Sequence, residues 1–154
     1  VISNSPTKTI TSCEGGLILT NNSILAQQLR KIRDNCSRMS ELNAIVGLAY
    51  SDHLAEIVGR KKMIFEYYTA NLPFKPQKIS RWGTNYGYYS CLVPNRDELI
   101  KKLEGKVEAR IRYEPIKQGL LTTDALAKEI LTLPCYPSLD EKQVVTIIKE
   151  ALGG

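Results

Sequence analysis

Between Asn22 and Leu72 apolar residues return at helical spacing in three successive stretches, and Pro73 and Pro76 then forbid continuation of the third. Leu25, Leu29 and Ile32 share one face of the first stretch, with Asn22 or Ser23 as its cap. The second starts near Ser40 and carries Leu42, Ile45, Val46 and Ala49, and the third carries Leu54, Ile57, Val58, Phe65, Tyr68 and Leu72. With an interruption at Ser51-Asp52-His53, these two read together as one long bent connector, and the prolines after it mark the best linker. Ahead of all three, Leu17-Ile18-Leu19-Thr20 is too short for a helix and is bounded by turn residues, so it reads as a buried strand.

Beyond the prolines the pattern is mixed. A strand is expected at about 86–93, and Asn95 with Glu98 reads as a capping box opening a helix with Leu99, Ile100 and Leu103. Val107, Ala109, Ile111 and Tyr113 alternate with Glu108, Arg110 and Arg112, which predicts a second main strand over 106–113 with one open, wet face. A helix bearing Leu126, Ala127, Ile130 and Leu131 follows, and the last helix is expected to start at a Ser138–Glu141 capping box and run to Leu152. The fold class is therefore α/β, becoming α+β in its C-terminal part, with helices covering a small antiparallel sheet on one side.

Composition removes several alternatives. Hydrophobic residues at 43% and charged residues at 24% argue against disorder. A net charge of +5 and a pI near 9.0 invite a nucleic-acid partner, but the basic residues are interleaved with carboxylates. Their densest cluster, Arg60-Lys61-Lys62, reads as a solvated helix face, and aromatic-rich RNA motifs are absent, so no nucleic-acid partner is expected. Cys13, Cys36, Cys91 and Cys135 form no C-x-x-C pair and His53 is the single histidine, so no metal site is expected. The cysteines read as reduced, mostly buried thiols of a cytoplasmic protein. No secretory signal is expected in these residues, and no apolar run approaches the roughly 20 residues of a membrane span.

Three motifs occur in a fixed order. The first is Ser3, then Pro6-Thr7-Lys8, then Glu14-Gly15-Gly16 entering the short strand. The second is R-M-S-E-L-N-A over 38–44, and the third is A-K-E-I-L-T-L-P-C-Y-P-S-L-D-E-K-Q-V over 127–144. Taken together they resemble the DegT-type family of pyridoxal-phosphate-dependent aminotransferases, which transfer an amino group to keto sugars attached to nucleotides. The resemblance runs from Ser3 to about Leu152 and corresponds to the part of the family fold that begins at the cofactor lysine. It implies that residues 1–53 end the large cofactor domain with its last strand and helix, and that 54–154 form a connector helix and a small C-terminal domain.

The resemblance further implies that Lys8 is the lysine that holds the cofactor covalently and shuttles a proton between substrate and cofactor carbons. Ser3 matches the serine whose hydroxyl holds the cofactor phosphate. Pyridoxal 5'-phosphate would be the cofactor, a nucleotide sugar and an amino acid, glutamate, the substrates, and a homodimer the assembly. Gly15-Gly16 is equally explained by a tight turn, and Glu14 is assigned no catalytic role.

There are departures. Asn4-Ser5 stands where the family has aromatic residues, and Cys13 replaces the first glycine of the turn. The loop before R-M-S-E-L is missing, with Cys36 in place of an asparagine that reaches the partner subunit's cofactor, and Arg112 stands for a histidine in R-I-R-Y-E-P. The family's pyridinium aspartate, stacking ring and phosphate-binding helix N-terminus all precede the lysine, so the active site is expected to be incomplete in these residues alone. Val1 in place of Met fits a piece of a longer protein. The alternative reading is a non-catalytic remnant or interaction module that keeps the fold and binds no cofactor. In either case the apolar strand at 17–20, lacking its parent sheet, is expected to be covered by self-association or to rearrange.

Overall fold

The structure, a computed structural model, describes residues 1–80, 83–113 and 115–153. It divides into two compact units, Val1–Ile57 and Val58–Gly154.

In the first unit β1 (Ile2–Ser3) pairs antiparallel with β2 (Gly16–Leu17), in the register Ile2↔Leu17 and Ser3↔Gly16. The expected strand over 17–20 is thus confined to its first residue and Gly16, and Leu17, Ile18 and Leu19 are exposed. Helix α1 (Ser23–Cys36) starts where Asn22 accepts the Leu25 N–H at 3.0 Å, so Asn22 and not Ser23 is the cap. Ser40 caps α2 (Glu41–Asp52) in the same way, accepting the Asn43 N–H at 3.1 Å. His53 breaks α2 from α3 (Leu54–Asn71), at the interruption expected from the sequence.

The second unit is built around a three-stranded antiparallel sheet of order β3 (Lys75–Pro76), β4 (Tyr89–Leu92), β5 (Ile130–Leu133). Pro73 and Pro76 end α3 but do not make a linker: Leu72 and Phe74 are buried, and Pro76 is an edge-strand residue paired with Cys91. The rings of Phe65 and Tyr68 on α3 meet Tyr89 on β4 edge-on, with centroids 4.8 and 5.1 Å apart. The hydroxyl of the fully buried Tyr68 donates to the Pro134 carbonyl at 3.2 Å and is satisfied.

Several expectations for this unit are corrected. The second main strand is β5, not 106–113, where only Arg110 bridges to Thr132. The helix expected to include Ile130 and Leu131 is α5 (Leu121–Glu129), and the chain turns to strand at Ile130 because pairing with β4 outweighs helical spacing. Glu108 and Arg110 are exposed as anticipated, whereas Arg112 is half-buried with its guanidinium 4.4 Å from the Tyr88 ring centroid. Glu114 of the same motif lies outside the described residues.

Neither capping box forms. Asn95 is left-handed at φ 55° and makes no side-chain cap to α4 (Arg96–Leu103), while Glu98 pairs with Lys102 at 3.1 Å. Helix α6 (Glu141–Leu152) is capped by Asp140, which accepts from the N–H groups of Lys142 and Gln143, because Glu141 is drawn to Arg60.

The cluster Arg60-Lys61-Lys62 is not one solvated face. Lys62 is exposed, but Lys61 is only 5% exposed and its burial lowers its pKa. Arg60 forms a bidentate pair with Glu141 at 3.0 and 2.6 Å and donates to the carbonyls of Pro137 and Leu139. Of the four cysteines, Cys91 and Cys135 are buried thiols, pushed up by burial to about 12 and about 11, while Cys13 and Cys36 are exposed. Among the described residues no helix is long and apolar enough to cross a membrane, and no group of three side chains is placed to hold a metal ion.

Candidate active-site loop

The two sequence-predicted site residues lie on one loop of the first unit. Ser3 ends β1, and the chain then turns over Ser5-Pro6-Thr7-Lys8, closed by the Lys8 N–H donating to the Ser5 carbonyl at 3.0 Å. Proline at the second turn position presets the required φ, so this turn is written into S-P-T-K itself. Both Lys8 and Ser3 are exposed, and the Ser3 hydroxyl donates to the Ser5 Oγ at 3.4 Å.

Backbone bonds hold the base of the loop. The Asn4 N–H donates to the Gly15 carbonyl at 3.0 Å, and the Ser12 N–H and Thr11 hydroxyl both donate to the Asn4 carbonyl. The ladder begun by β1 and β2 is thereby carried one residue further. Cys13 adopts φ 66°, where the family pattern has glycine, and its N–H is taken up by Thr11 Oγ1 at 3.0 Å.

The glycine pair has a steric basis. Gly15 adopts φ 136°, which L side chains rarely take, and packs against the flexible end of Met39, while a Cβ on Gly16 would lie 2.8 Å from the Ile2 carbonyl oxygen. Met39 belongs to the R-M-S-E-L-N-A motif, and its neighbours reach the same loop. Asn43 Nδ2 donates to the Glu14 carbonyl at 3.3 Å, and Gly47 brings α2 so close that a Cβ there would sit 3.2 Å from Ser12 Cβ. The first two motifs thus converge as one loop and the helix that braces it. Glu14 contributes its main-chain carbonyl, which also receives the Ser12 hydroxyl at 2.9 Å.

Two features were missed by sequence reasoning. Asn43 lies inside the R-M-S-E-L-N-A motif, but its role in bracing a loop some thirty residues earlier was not read from it, and Gly47 lies outside every motif. Asn4, read only as a departure, is 4% exposed, and its Oδ1 is buried without a hydrogen-bond partner. The region of the missing loop is helical: α1 continues through Asn35 to Cys36, whose thiol donates to the Ile32 carbonyl. The third motif lies in the second unit, where it forms β5 and the Arg60 contacts.

The chain belongs to the DegT/DnrJ/EryC1/StrS aminotransferase family, whose model matches residues 1–151. It is 29% identical to the dTDP-4-amino-4,6-dideoxy-D-glucose transaminase of Escherichia coli, over 75% of this chain and 38% of that protein. It is 26% identical to a pleiotropic regulatory protein of Geobacillus stearothermophilus, over 94% of this chain and 48% of that protein. Among solved structures, the aminotransferase TlmJ of Streptoalloteichus hindustanus superposes with a TM-score of 0.87 at 21% identity, covering 98% of this chain and 51% of that one. The chain therefore spans about half the length, or less, of the relatives it matches.

Proposed function

We propose that this chain supplies the lysine-bearing part of a pyridoxal-phosphate-dependent aminotransferase that moves an amino group from an amino acid, glutamate, to a nucleotide-linked keto sugar. The carrying observation is the loop itself: a primary amine and a hydroxyl, Lys8 and Ser3, stand exposed on a loop closed at its base by β1 and β2. An amine suits the aldehyde of the cofactor and a short hydroxyl suits its phosphate, so these two residues fit the group at two of its functional ends. When bound, the cofactor supplies an electron sink for the substrate carbon. Lys8 would hold it and, once displaced by the amino donor, carry a proton from its Nζ to and from the reacting carbon. Ser3 would fix the phosphate and with it the distance of the ring from Lys8.

Family membership and the sugar transaminase among the relatives support the substrate class. The coverage of about half of the relatives supports the rest of the proposal: that residues 1–53 close a large cofactor domain, that 54–154 provide connector and small domain, and that the remaining cofactor contacts come from sequence outside these residues. A homodimer working on soluble cytoplasmic substrates fits the same reading.

In the protein at its natural length, borohydride reduction in the presence of pyridoxal phosphate followed by peptide mapping should find the label on Lys8. Lys8→Ala should abolish both the label and amino transfer. Label on a different lysine would overturn the assignment.

A second reading, a family member that keeps the fold without binding the cofactor, is favoured by α1 running helically through Cys36, where the resemblance implies a partner-reaching loop. Absence of any reducible adduct in the full-length protein would select it.

A further inference from the structure

The geometry points to Asn4 as a positioning residue of the Lys8 loop, whose buried amide oxygen is held for a hydrogen-bond donor that arrives when the cofactor site is loaded. This rests on the proposed pyridoxal-phosphate reading. Asn4 lies between the two cofactor candidates in the chain, next to Ser3 and four residues before Lys8. Its main chain is fixed on both sides, by the N–H to Gly15 and by the carbonyl to Ser12 and Thr11. Its side chain is therefore placed by the loop and cannot drift to solvent, being 4% exposed.

Asn4 and Ser12 are the only side chains that the first unit buries, and both are polar. They differ in one respect. Ser12 spends its hydroxyl on the Glu14 carbonyl at 2.9 Å, whereas Asn4 Oδ1 has no partner. A buried acceptor left unpaired is destabilising, and an apolar side chain of similar volume would serve packing better. A polar group retained at such cost beside a reactive loop suits a site that is completed by something else. The missing partner must be a donor. Deprotonated phosphate oxygens cannot serve, but an N–H can. Lys8 Nζ is the primary amine of this loop, and a single turn, closed by the Lys8 N–H to the Ser5 carbonyl, separates it from Asn4. On this reading Asn4 Oδ1 receives a Lys8 N–H when the loop closes over the cofactor, holding the amine in register with the phosphate end set by Ser3.

The test is Asn4→Leu in the full-length protein, which keeps the volume and removes the acceptor. Two readouts are needed: the melting temperature of the cofactor-free protein, and pyridoxal phosphate affinity from a spectroscopic titration. Asn4→Leu should raise the melting temperature by about 2–4 °C and weaken cofactor affinity by about tenfold or more. A variant that melts lower would show that Asn4 is an ordinary structural residue. A higher melting temperature with unchanged affinity would show an accidental orphan, and either result overturns the proposal. Should Asn4→Leu not fold, Asn4→Ala must show the same loss of affinity, and wild-type affinity in that variant overturns the proposal equally. Failure of the parent reading looks different, because the wild-type protein would then take no reducible label on Lys8.

Discussion

Arg60 shows how one side chain can tie together parts of the chain far apart in sequence. Its guanidinium spans both carboxylate oxygens of Glu141 and two main-chain carbonyls, with the Glu141 side chain largely sheltered. The bond from Arg60, opposed by modest desolvation, holds the Glu141 carboxyl below its ordinary pKa. Because the folded value lies below the unfolded one of about 4.3, this pair stabilises the protein above that pH. The contribution fades as pH falls through the folded pKa. Replacing Arg60 by Met should cost about 2–3 kcal/mol at neutral pH, and thermal melts should show the difference from wild type shrinking below about pH 4. At this scale the sequence misleads for a definite reason: R-K-K reads as a solvated run, yet only the fold decides that Arg60 faces α6 and Lys61 the interior. A motif carries Lys8 and Ser3, so the sequence alone suffices to propose them. Asn4 was not legible, since burial of a loop residue leaves no local pattern.

Helices were legible where caps and breaks are local. Asn22, Ser40 and the break at His53 set three boundaries from side chains within a few residues. Strands were less so. The stretch from Leu126 to Leu133 keeps apolar residues at helical spacing and contains no glycine or proline, so nothing local announces the change at Ile130. Tyr89↔Leu133 and Cys91↔Leu131 pairing decides it from a distance. The start of α6 offers a quantitative check of the corrected cap. Asp140→Ala should cost about 1 kcal/mol, whereas Ser138→Ala should stay within about 0.5 kcal/mol. Denaturant unfolding of both variants measures the contrast, and equal losses would restore the Ser138 box.

Considered whole, the chain is uneven. The second unit has an apolar core including Ile64, Tyr68, Tyr89, Leu103, Leu131 and Ile148, all essentially inaccessible. The first buries no apolar side chain, and it exposes Ile18, Leu19, Ile24, Ile32, Leu42, Ile45 and Leu48. With conformational entropy of about 1–2 kcal/mol per residue to offset, the first unit lacks the burial that would hold it by itself. Hydrogen exchange on the 154-residue chain should therefore find slow amides in α3, β4, β5 and α6 and fast ones in α1 and α2. Slow exchange in α1 would show that its face is covered, as self-association would do.

The sheet order has a consequence in time. Strand β3 lies close in the chain to both α3 and β4, but β5 reaches β4 only after everything from Leu92 to Ile130 has been looped out. Closing that loop is unfavourable until the pairing forms, so β5 should dock after the rate-limiting step. Leu131→Ala and Leu133→Ala would then chiefly accelerate unfolding, while Ile64→Ala on α3 would slow refolding. Stopped-flow chevrons separate the two. In this view the leucine-proline stretch that helps mark the family is the last piece of the unit to arrive and the first to leave.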